Sequence, residues 1–521
     1  METSNYSKSV PHRIDLATVG LDLYDYVQGQ LKAGIKRIFL EPKRYFVNGD
    51  YLPRVYCCIS NNESGMKSVL LDFANVQDVI IDGNGAEILC QGEILPIRVS
   101  NSQGIMIRNL SIDWLRPGMS HATVVSVEKN AVVFRYDPDL YPMKVVSGRL
   151  IAFDEWGWQT DILMNLLEYD QQRGQLRDGA TENWHLRLYH YASEIDDHHI
   201  RIEADFDQLP EPGSLIGLMH GDRYAPGVWV AHSRDVVIEG VCIHHALGMG
   251  FINQCSQNIS LIKCSVVPCE GRLFSTWVDA AHFVDCDGDI LVDSCRFSGQ
   301  WDDAINLHGI FWKGLEFCSG NSIRCQVMHR QQIGVNIFRV GDTAVLHNRL
   351  TLAELKRCEV TDIDFDSLGF PVLSFNSDMS DLDPSAIVIR RYSKHCNLVV
   401  RNSKFEQNRG RGLLLMTPGK ILVENNYFHV SGIAIESVCD TTYWWESGPI
   451  DSLEIRHNDF DGCNFAACSG PLIYIHAESE KQTDLSLIHG RVQIQSNTYN
   501  TRGEQILHVS NTKLLVHDLS V

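Results

Sequence analysis

Three aspartates in two neighbouring segments have the residue type and spacing that acid–base chemistry requires. One segment reads TWVDAAHFVDC and carries Asp279, and the other reads FSGQWDDAINLHG and carries Asp302 and Asp303. Aligning VDAAHF with DDAINL places Asp279 level with Asp303. If the segments are adjacent strands, about 4.8 Å apart, the carboxylates crowd together and the pKa of at least one rises. Such a carboxyl group can act as a general acid near neutral pH, for example in hydrolysis of a glycosidic bond.

Aromatic and charged residues around these aspartates are candidates for binding a sugar. An exposed Trp face can stack on the apolar face of a sugar ring, and charged side chains can bind its hydroxyl groups. Each candidate also has an ordinary explanation, which is packing for the tryptophans and surface ion pairing for the others. The candidate substrate-binding residues are Trp277, Trp301, Trp444, Trp445, Glu270, Arg411 and Glu436.

The sequence offers little support for a metal or another cofactor. It contains no C-x-x-C pair and no nucleotide-binding glycine motif. The turn DCDGD carries Asp285, Asp287 and Asp289, which satisfy turn backbone groups in the simplest interpretation and bind calcium in the alternative one. Because carboxylates suffice for acid–base hydrolysis, we predict no metal and no cofactor.

A short repeat indicates how these residues are positioned. Two alternating apolar residues are followed by small polar residues, and a further apolar residue comes five places later. Successive copies are often about 23–32 residues apart, the length of one coil of a parallel β-helix. One coil cannot bury its apolar face alone, whereas a stack of about ten coils can. The copies are centred on Ile81, Ile107/Ile112, Ile238/Ile243, Ile262/Val267, Val292/Phe297, Val400/Phe405, Val423/Phe428, Ile455/Phe460 and Ile494/Tyr499.

Two long gaps in the repeat predict two inserted domains in an all-β chain. The gaps run from Ile107 to Ile238 and from Val292 to Val400, and both contain β-hairpin patterns. An amphipathic segment from Leu21 to Leu31 is predicted to be a helix that covers the first coil. The predicted division is an N-terminal cap with the first coils in 1–120, β-barrel or sandwich-like insertions in 121–230 and 313–392, central coils with the aspartates in 231–312, and C-terminal coils in 393–521.

Composition limits the partners of the protein. With 45 Lys and Arg against 65 Asp and Glu, the 521-residue chain has a formal charge of −20, which argues against nucleic acid and against anionic membranes. The expected partner is an oligosaccharide or glycoconjugate, and the flat side of a solenoid offers a surface for a homodimer. Without a visible signal peptide we expect a cytoplasmic protein with free thiols among its 16 cysteines, or a secreted or periplasmic one if a signal has been removed.

The segment TWVDAAHFVDC…FSGQWDDAINLHG resembles glycoside hydrolase family 110, and the resemblance covers about residues 20–515. That family comprises inverting, exo-acting α-1,3-galactosidases, including enzymes that cleave the blood-group B antigen. The resemblance implies a right-handed parallel β-helix with inserted β-barrel domains. By position, it also implies that Asp279, Asp302 and Asp303 are the active-site carboxylates.

Two alternatives remain open from the sequence. The aspartate arrangement also looks like that of polygalacturonases, but their Gly-His-Gly and Arg-x-Lys motifs are missing at the matching places, where His308–Gly309 and RGRGLLLM occur instead. A non-catalytic carbohydrate-binding β-helix is the other alternative, although it would not need three crowded acids. For catalysis, we expect Asp302 to be the general acid, with Asp279 and Asp303 holding the attacking water.

Overall fold

The computed structural model describes residues 16–154, 157–180, 182–183, 186, 190–393, 396–466, 470–481, 484–500 and 505–518. Its helix spans Leu16–Lys32 and packs on the first strands of the chain, burying Leu23 and Val27 against Val47. The amphipathic helix that the sequence predicts is therefore present. Short 3-10 turns span Gly49–Tyr51, Arg330–Gln332 and Pro384–Ala386.

A parallel sheet of 18 strands forms one wall of a β-helix. Its side chains alternate between buried and partly exposed positions, as expected for a sheet with one face in the core. The strands are Arg37–Phe39, Arg44–Asn48, Gln77–Gln91, Gln103–Trp114, Arg234–Ile243, Gln257–Ile262, Ser265–Val266, Asp287–Asp293, Arg296–Ser298, Asn397–Arg401, Lys404–Glu406, Lys420–Glu424, Tyr427–His429, Ser452–Arg456, Asp459–Asp461, His489–Gln495, Thr498–Asn500 and Thr512–His517.

A second sheet, of 12 strands, forms the wall that carries the aspartate cluster. Most of its strands are parallel, whereas Arg54–Cys57 and Glu446–Ser447 pair antiparallel. The strands Ala281–Val284 and Ile305–Ile310, which follow the aspartates, are buried along nearly their whole length. The strands are Arg54–Cys57, Gly65–Ala74, Leu95–Ser100, Val228–Ala231, Phe251–Gln254, Ala281–Val284, Ile305–Ile310, Leu413–Met416, Ile435–Ser437, Glu446–Ser447, Ile473–Ile475 and Leu507–Val509.

Identical interior levels stack from coil to coil, as the repeat predicts. Val292, Val400, Val423, Ile455 and Ile494 are paired in register along the first wall. The later anchors form an aromatic stack, whose successive ring centroids are separated by 5.9, 5.0, 5.0 and 5.4 Å. The rings belong to Phe297, Phe405, Phe428, Phe460 and Tyr499.

One coil of the repeat is shifted by one residue from its predicted register. Leu261, not Ile262, pairs with Ile238, and Val266, not Val267, pairs with Ile243. In SLIKCSVV apolar residues occupy both faces, so the pattern does not distinguish the two registers. A shift of one residue exchanges the interior and exterior faces of a strand, and the prediction for this coil was therefore wrong.

Two antiparallel β-domains are inserted into the β-helix, confirming the predicted fold class. The first contains a seven-stranded sheet, Met119–Glu128, Ala131–Arg135, Leu163–Asp170, Gln175–Leu176, His190–Asp196, His199–Ala204 and Leu215–His220, with a smaller sheet of Met143–Val146, Arg149–Phe153 and Gln159–Thr160. The second is a closed barrel of Trp312–Ser319, Ser322–Val327, Thr343–Asn348, Glu354–Phe365, Pro371–Phe375 and Ile387–Arg391.

The described cysteines are all free thiols, and many of them are buried. Within the described residues, no helix is long and apolar enough to cross a membrane.

Candidate active site

The three aspartates lie just before two adjacent strands of the second wall. Strand Ala281–Val284 pairs with Ile305–Ile310 in a register that places Asp279 level with Asp303, as the alignment predicts. The Asp303 backbone N–H donates to Asp279 Oδ1 at 3.1 Å. Oxygen atoms of Asp279, Asp302 and Asp303 all approach within 4.8 Å of one another. The predicted cluster of carboxylates therefore exists in the folded chain.

Burial differs sharply among the three carboxylates. The side chains of Asp279 and Asp303 are 5% and 1% exposed, whereas that of Asp302 is 21% exposed. Two small cavities, of about 20 and 70 Å³, share Asp302 and Arg223 in their walls. Asp302 is thus the member of the cluster that a ligand entering from solvent reaches most directly.

Burial raises the pKa of two carboxyl groups in the cluster. Burial, reinforced by the neighbouring Asp302, raises the pKa of Asp279 well above its usual value. Burial also raises the pKa of Asp303, an effect that the adjacent Arg411 opposes. The cluster thus retains at least one proton near neutral pH. Asp302 lies between two guanidinium groups, since Arg409 Nη1 contacts it at 3.0 Å and Arg223 Nη2 lies 3.7 Å away.

Arg411 links the carboxylate cluster to the next two coils. Its Nε and Nη2 donate to the two oxygens of Asp303, each at 2.9 Å, and its Nη1 donates to Glu436 at 3.1 Å. Glu436 also contacts His476 Nε2 at 2.8 Å. Despite burial, which opposes this, His476 and Arg411 lower the pKa of Glu436. The structure therefore brings the predicted residues Arg411 and Glu436 to the site.

The glycine between the two arginines allows this close packing. A Cβ atom added to Gly410 would lie 2.6 Å from Asp303 Oδ1 and 2.6 Å from the Asp302 backbone carbon. Arg409 and Arg411 therefore approach the carboxylates from either side of a residue that has no side chain. The motif RGRG acquires this meaning only in the folded structure, since the sequence pattern alone singled out Arg411.

Trp277 and Trp301 are packing residues and not exposed sugar platforms. They are 3% and 2% exposed, so neither ring presents a free face. Trp277 packs on Gly118 and Gly221, where the first insertion leaves and rejoins the β-helix, and Trp301 packs on Gly217 of the insertion. Their remaining accessible atoms line the cavity beside Asp302. The platform prediction is corrected because docking of the inserted domain covers both rings.

The other predicted binding residues fall into two groups. Trp444 lines the cleft, with the Arg223 guanidinium 5.4 Å from its ring centroid. Trp445 is buried against Phe311 and Val388 and does not line the cleft. Glu270 is exposed in a turn and is absent from both cavity walls. Trp445 and Glu270 are therefore corrected as cleft residues, because their local position does not bring them to the carboxylates.

Several residues of the cleft were not singled out from the sequence. Asn306, in the cleft wall, and His282, buried behind Asp279, could have been found, because the alignment that matched the aspartates also pairs these two positions. Arg223 had no such signal, since it lies in an irregular segment that follows the first insertion. The further polar residues in or beside the cleft wall are Asn61, Asn165, Asp222, Arg409 and Glu446.

Arginine side chains already contact most of the carboxylates that could otherwise bind a metal cation. Guanidinium groups contact Asp302 and Asp303 in the cleft, as described above. In the turn DCDGD, Arg391 contacts Asp285 at 3.4 Å and Asp287 at 2.7 Å, beside a separate cavity of about 430 Å³ at the opposite ends of the strands. Asp289 accepts a hydrogen bond from Asn397 at 2.9 Å.

Comparison with known proteins places this geometry in a family. Residues 120–216, in the first insertion, match the GLAA-B beta-barrel domain I. Alpha-1,3-galactosidase A of Shewanella woodyi is 31% identical over 472 residues, covering 88% of this chain and 76% of the relative. Alpha-1,3-galactosidase B of Bacteroides thetaiotaomicron is 29% identical over 444 residues, covering 83% and 71%.

Among solved structures, an exopolygalacturonase from Thermotoga maritima aligns with 94% of this chain and 80% of its own, at 12% identity and a TM-score of 0.34. That likeness bears on neither substrate nor mechanism.

A parallel β-helix with clustered carboxylates and arginines in a cleft, together with these relatives, defines a glycoside hydrolase. Within that class, the chain belongs to the α-1,3-galactosidase family, glycoside hydrolase family 110.

Proposed function

We propose that the protein removes terminal α-1,3-linked galactose from oligosaccharides or glycoconjugates, such as blood-group B-type structures, with inversion of configuration. The observation that carries this proposal is the three-carboxylate cluster in a chain 31% identical to an α-1,3-galactosidase. Asn61, Trp444 and the segment with Arg223 surround the carboxylates. Such a small, walled cleft suits a terminal sugar better than the interior of a polysaccharide chain.

Asp302 is proposed to protonate the departing glycosidic oxygen. It is the most exposed carboxylate of the cluster and borders both cavities, so a bond placed between them would reach it. Asp279 and Asp303, level with each other on adjacent strands, are proposed to hold the attacking water. With Asp279 and Asp303 on one side of the sugar and Asp302 beside the leaving oxygen, water attacks from the face opposite the departing group. This single displacement inverts the configuration of the anomeric carbon.

The direct test is incubation of the protein with branched and linear α-1,3-galactosides while NMR follows the first anomer released. The expected product is free β-galactose, and the Asp303→Ala variant should release none. Polygalacturonate is included to test the pectin-hydrolase alternative. Release of α-galactose first would contradict inversion, and the absence of any galactose release would contradict the galactosidase assignment.

Activity should not require a metal ion, because arginine side chains already offset the charge of the cluster. Dialysis against EDTA is expected to leave the rate of galactose release unchanged. Loss of activity in EDTA that returns on addition of Ca²⁺ or Zn²⁺ would contradict this expectation.

A further inference from the structure

A chain of hydrogen bonds leads from Asp279 away from the cleft and into the protein. Asp279 Oδ2 lies 2.8 Å from His282 Nδ1, and His282 Nε2 lies 2.9 Å from His308 Nε2. At its inner end, His308 Nδ1 lies 2.8 Å from the backbone oxygen of Gly309. Both histidine side chains are completely buried, and the roles assigned above use neither of them.

The inner end of this chain determines where the protons are when both histidines are neutral. The Gly309 carbonyl can only accept, so His308 carries its proton on Nδ1 and leaves Nε2 as an acceptor. His282 must then donate from Nε2, which leaves its Nδ1 as an acceptor. Asp279 Oδ2 therefore has to be the donor, so Asp279 is a protonated carboxyl group.

The second oxygen of Asp279 agrees with a neutral acid. Oδ1 accepts the Asp303 backbone N–H, as the carbonyl oxygen of a carboxylic acid does, while Oδ2 faces His282. By contrast, both oxygens of Asp303 accept from Arg411, a side chain that has only donors. The contacts thus mark Asp303 as the ionised member of this pair and Asp279 as the member that carries the proton.

We propose that His282 and His308 are a proton relay that turns Asp279 into the base for the attacking water. This rests on the proposed glycosidase function. The Asp279 Oδ2–H bond breaks as a His282 Nδ1–H bond forms, and His282 Nε2–H breaks as His308 Nε2–H forms. As Asp279 gives up this proton it takes one from the attacking water, whose O–H bond breaks as the water adds to the sugar. Asp279 therefore stays neutral throughout, and His308 becomes an imidazolium.

Glu446 is placed to stabilise the imidazolium. Its Oε1 lies 3.4 Å from His308 Nε2 and accepts a hydrogen bond from Asn61 at 3.1 Å. Burial lowers the pKa of both histidines, that of His282 to about 4, which agrees with neutral rings before the protons move. The other charged or titratable groups that face this network are Asp302, Asp303, Arg223, Arg411 and Asp285.

Asp303 is less suited to the role of base. Arg411 occupies both of its oxygens and the Arg411 backbone N–H binds Oδ1 at 2.8 Å, so taking up a proton would break existing contacts. Asp279 has a partner that can take its proton and return it. His282 and His308 are therefore positioning residues that act through Asp279.

The proton positions can be tested without any substrate. The protein is labelled with ¹⁵N in its histidine rings, and NMR identifies which ring nitrogens bear protons, with His282→Gln and His308→Gln variants used to assign the signals. The expected result is protonation of His282 at Nε2 and of His308 at Nδ1. Protonation of His282 at Nδ1 would overturn the proposal. This measurement decides the matter even if the protein releases no galactose.

A kinetic test separates the relay from a purely structural role. In His308→Gln, Asp279 must lose its proton to solvent, so its base form appears only above its raised pKa. We expect kcat to fall about 100-fold at neutral pH with KM changed less than about threefold, and the deficit to shrink as pH rises. His347→Gln, which alters a buried histidine of the second inserted barrel, is the matched control. An equal loss at every pH would overturn the relay.

Discussion

At the scale of residues, the cluster consists of chemically similar groups in different surroundings. Asp302 is partly exposed and contacts two arginines, Asp303 is bound by one arginine, and Asp279 faces a histidine. Differences of this kind allow neighbouring carboxyl groups to take different protonation states at one pH. Each carboxylate can therefore be tested by a variant whose effect the others should not share.

Replacing Asp302 by Asn should reveal which substrates need an acid. Galactosides with poor leaving groups require protonation of the glycosidic oxygen, whereas activated aryl galactosides need little. We therefore expect turnover of the disaccharide to fall by about 100-fold or more, as for loss of a general acid, and turnover of the aryl substrate to fall much less. Asp303→Asn should impair both substrates alike. Equal losses in Asp302→Asn would show that another group, Asp279 being the first candidate, supplies the proton.

Replacing Asp279 by Asn should abolish activity and yet stabilise the protein as pH rises. Asn can donate to His282 and accept from Asp303, as the neutral acid does. In the wild type, burial raises the pKa of folded Asp279 above its unfolded value of about 3.9, so its contribution to stability is present below that pH and is lost as pH rises. Relative to wild type, the variant should gain up to about 1.4 kcal/mol per pH unit.

Urea unfolding of both proteins at pH 5 and pH 8 measures this gain. A difference in unfolding free energy that is the same at both pH values would contradict the assignment of a raised pKa to Asp279.

At the scale of elements, the coils position the aspartates by keeping one register along a wall. The same pairing that aligns Asp279 with Asp303 also aligns Ala281 with Ile305, so two interior positions fix where the acids project. This is why the cluster was predictable from the sequence. The register of the coil SLIKCSVV could not be predicted from the sequence, because its apolar residues fit either of two registers. Pairing with the neighbouring coils decides between them.

The aromatic stack should contribute strongly to stability. Phe460 lies between Phe428 and Tyr499, with ring centroids 5.0 and 5.4 Å away, and is fully buried. Phe460→Ala leaves a cavity and removes both ring contacts, so the unfolding free energy should fall by about 3–5 kcal/mol. Phe365→Ala, at an exposed barrel position, is the control and should change stability by less than about 0.5 kcal/mol. Similar urea midpoints for the two variants would contradict this role.

At the scale of the whole molecule, the first insertion completes the cleft. Met164, Asn165 and Met219 of this domain line the cavity beside Asp302, and Glu182 of the same insertion contacts Arg409. The sequence predicts that an insertion exists but not which surface it covers. That surface depends on contacts between segments far apart in the chain, 227 residues in the case of Glu182 and Arg409, for which no local sequence pattern exists.

Trp277→Phe distinguishes docking of the insertion from sugar stacking. A smaller ring leaves a gap against Gly118 and Gly221, so residues 119–220 should exchange their amide hydrogens faster and the protein should lose about 1–3 kcal/mol of stability. KM for a galactoside should change less than about threefold. A large rise in KM for Trp277→Phe with unchanged hydrogen exchange would contradict the docking role and would show that the Trp277 ring stacks on the sugar.

The net charge of −20 should affect charged and neutral substrates differently. A field of one sign repels polyanions of the same sign and is screened by salt, whereas a neutral galactoside is insensitive to it. We expect kcat/KM for a neutral α-1,3-galactoside to vary less than about twofold between about 0.05 and 0.5 M NaCl. An α-1,3-galactoside with an acidic group on the sugar next to the terminal galactose should be cleaved more slowly at low salt and recover as salt increases. Steady-state rates measured on both substrates across this range of salt concentrations provide the comparison. A strong salt dependence for the neutral substrate would contradict this expectation. It would show that ion pairs of the cleft itself, such as Arg409 with Asp302, open during binding.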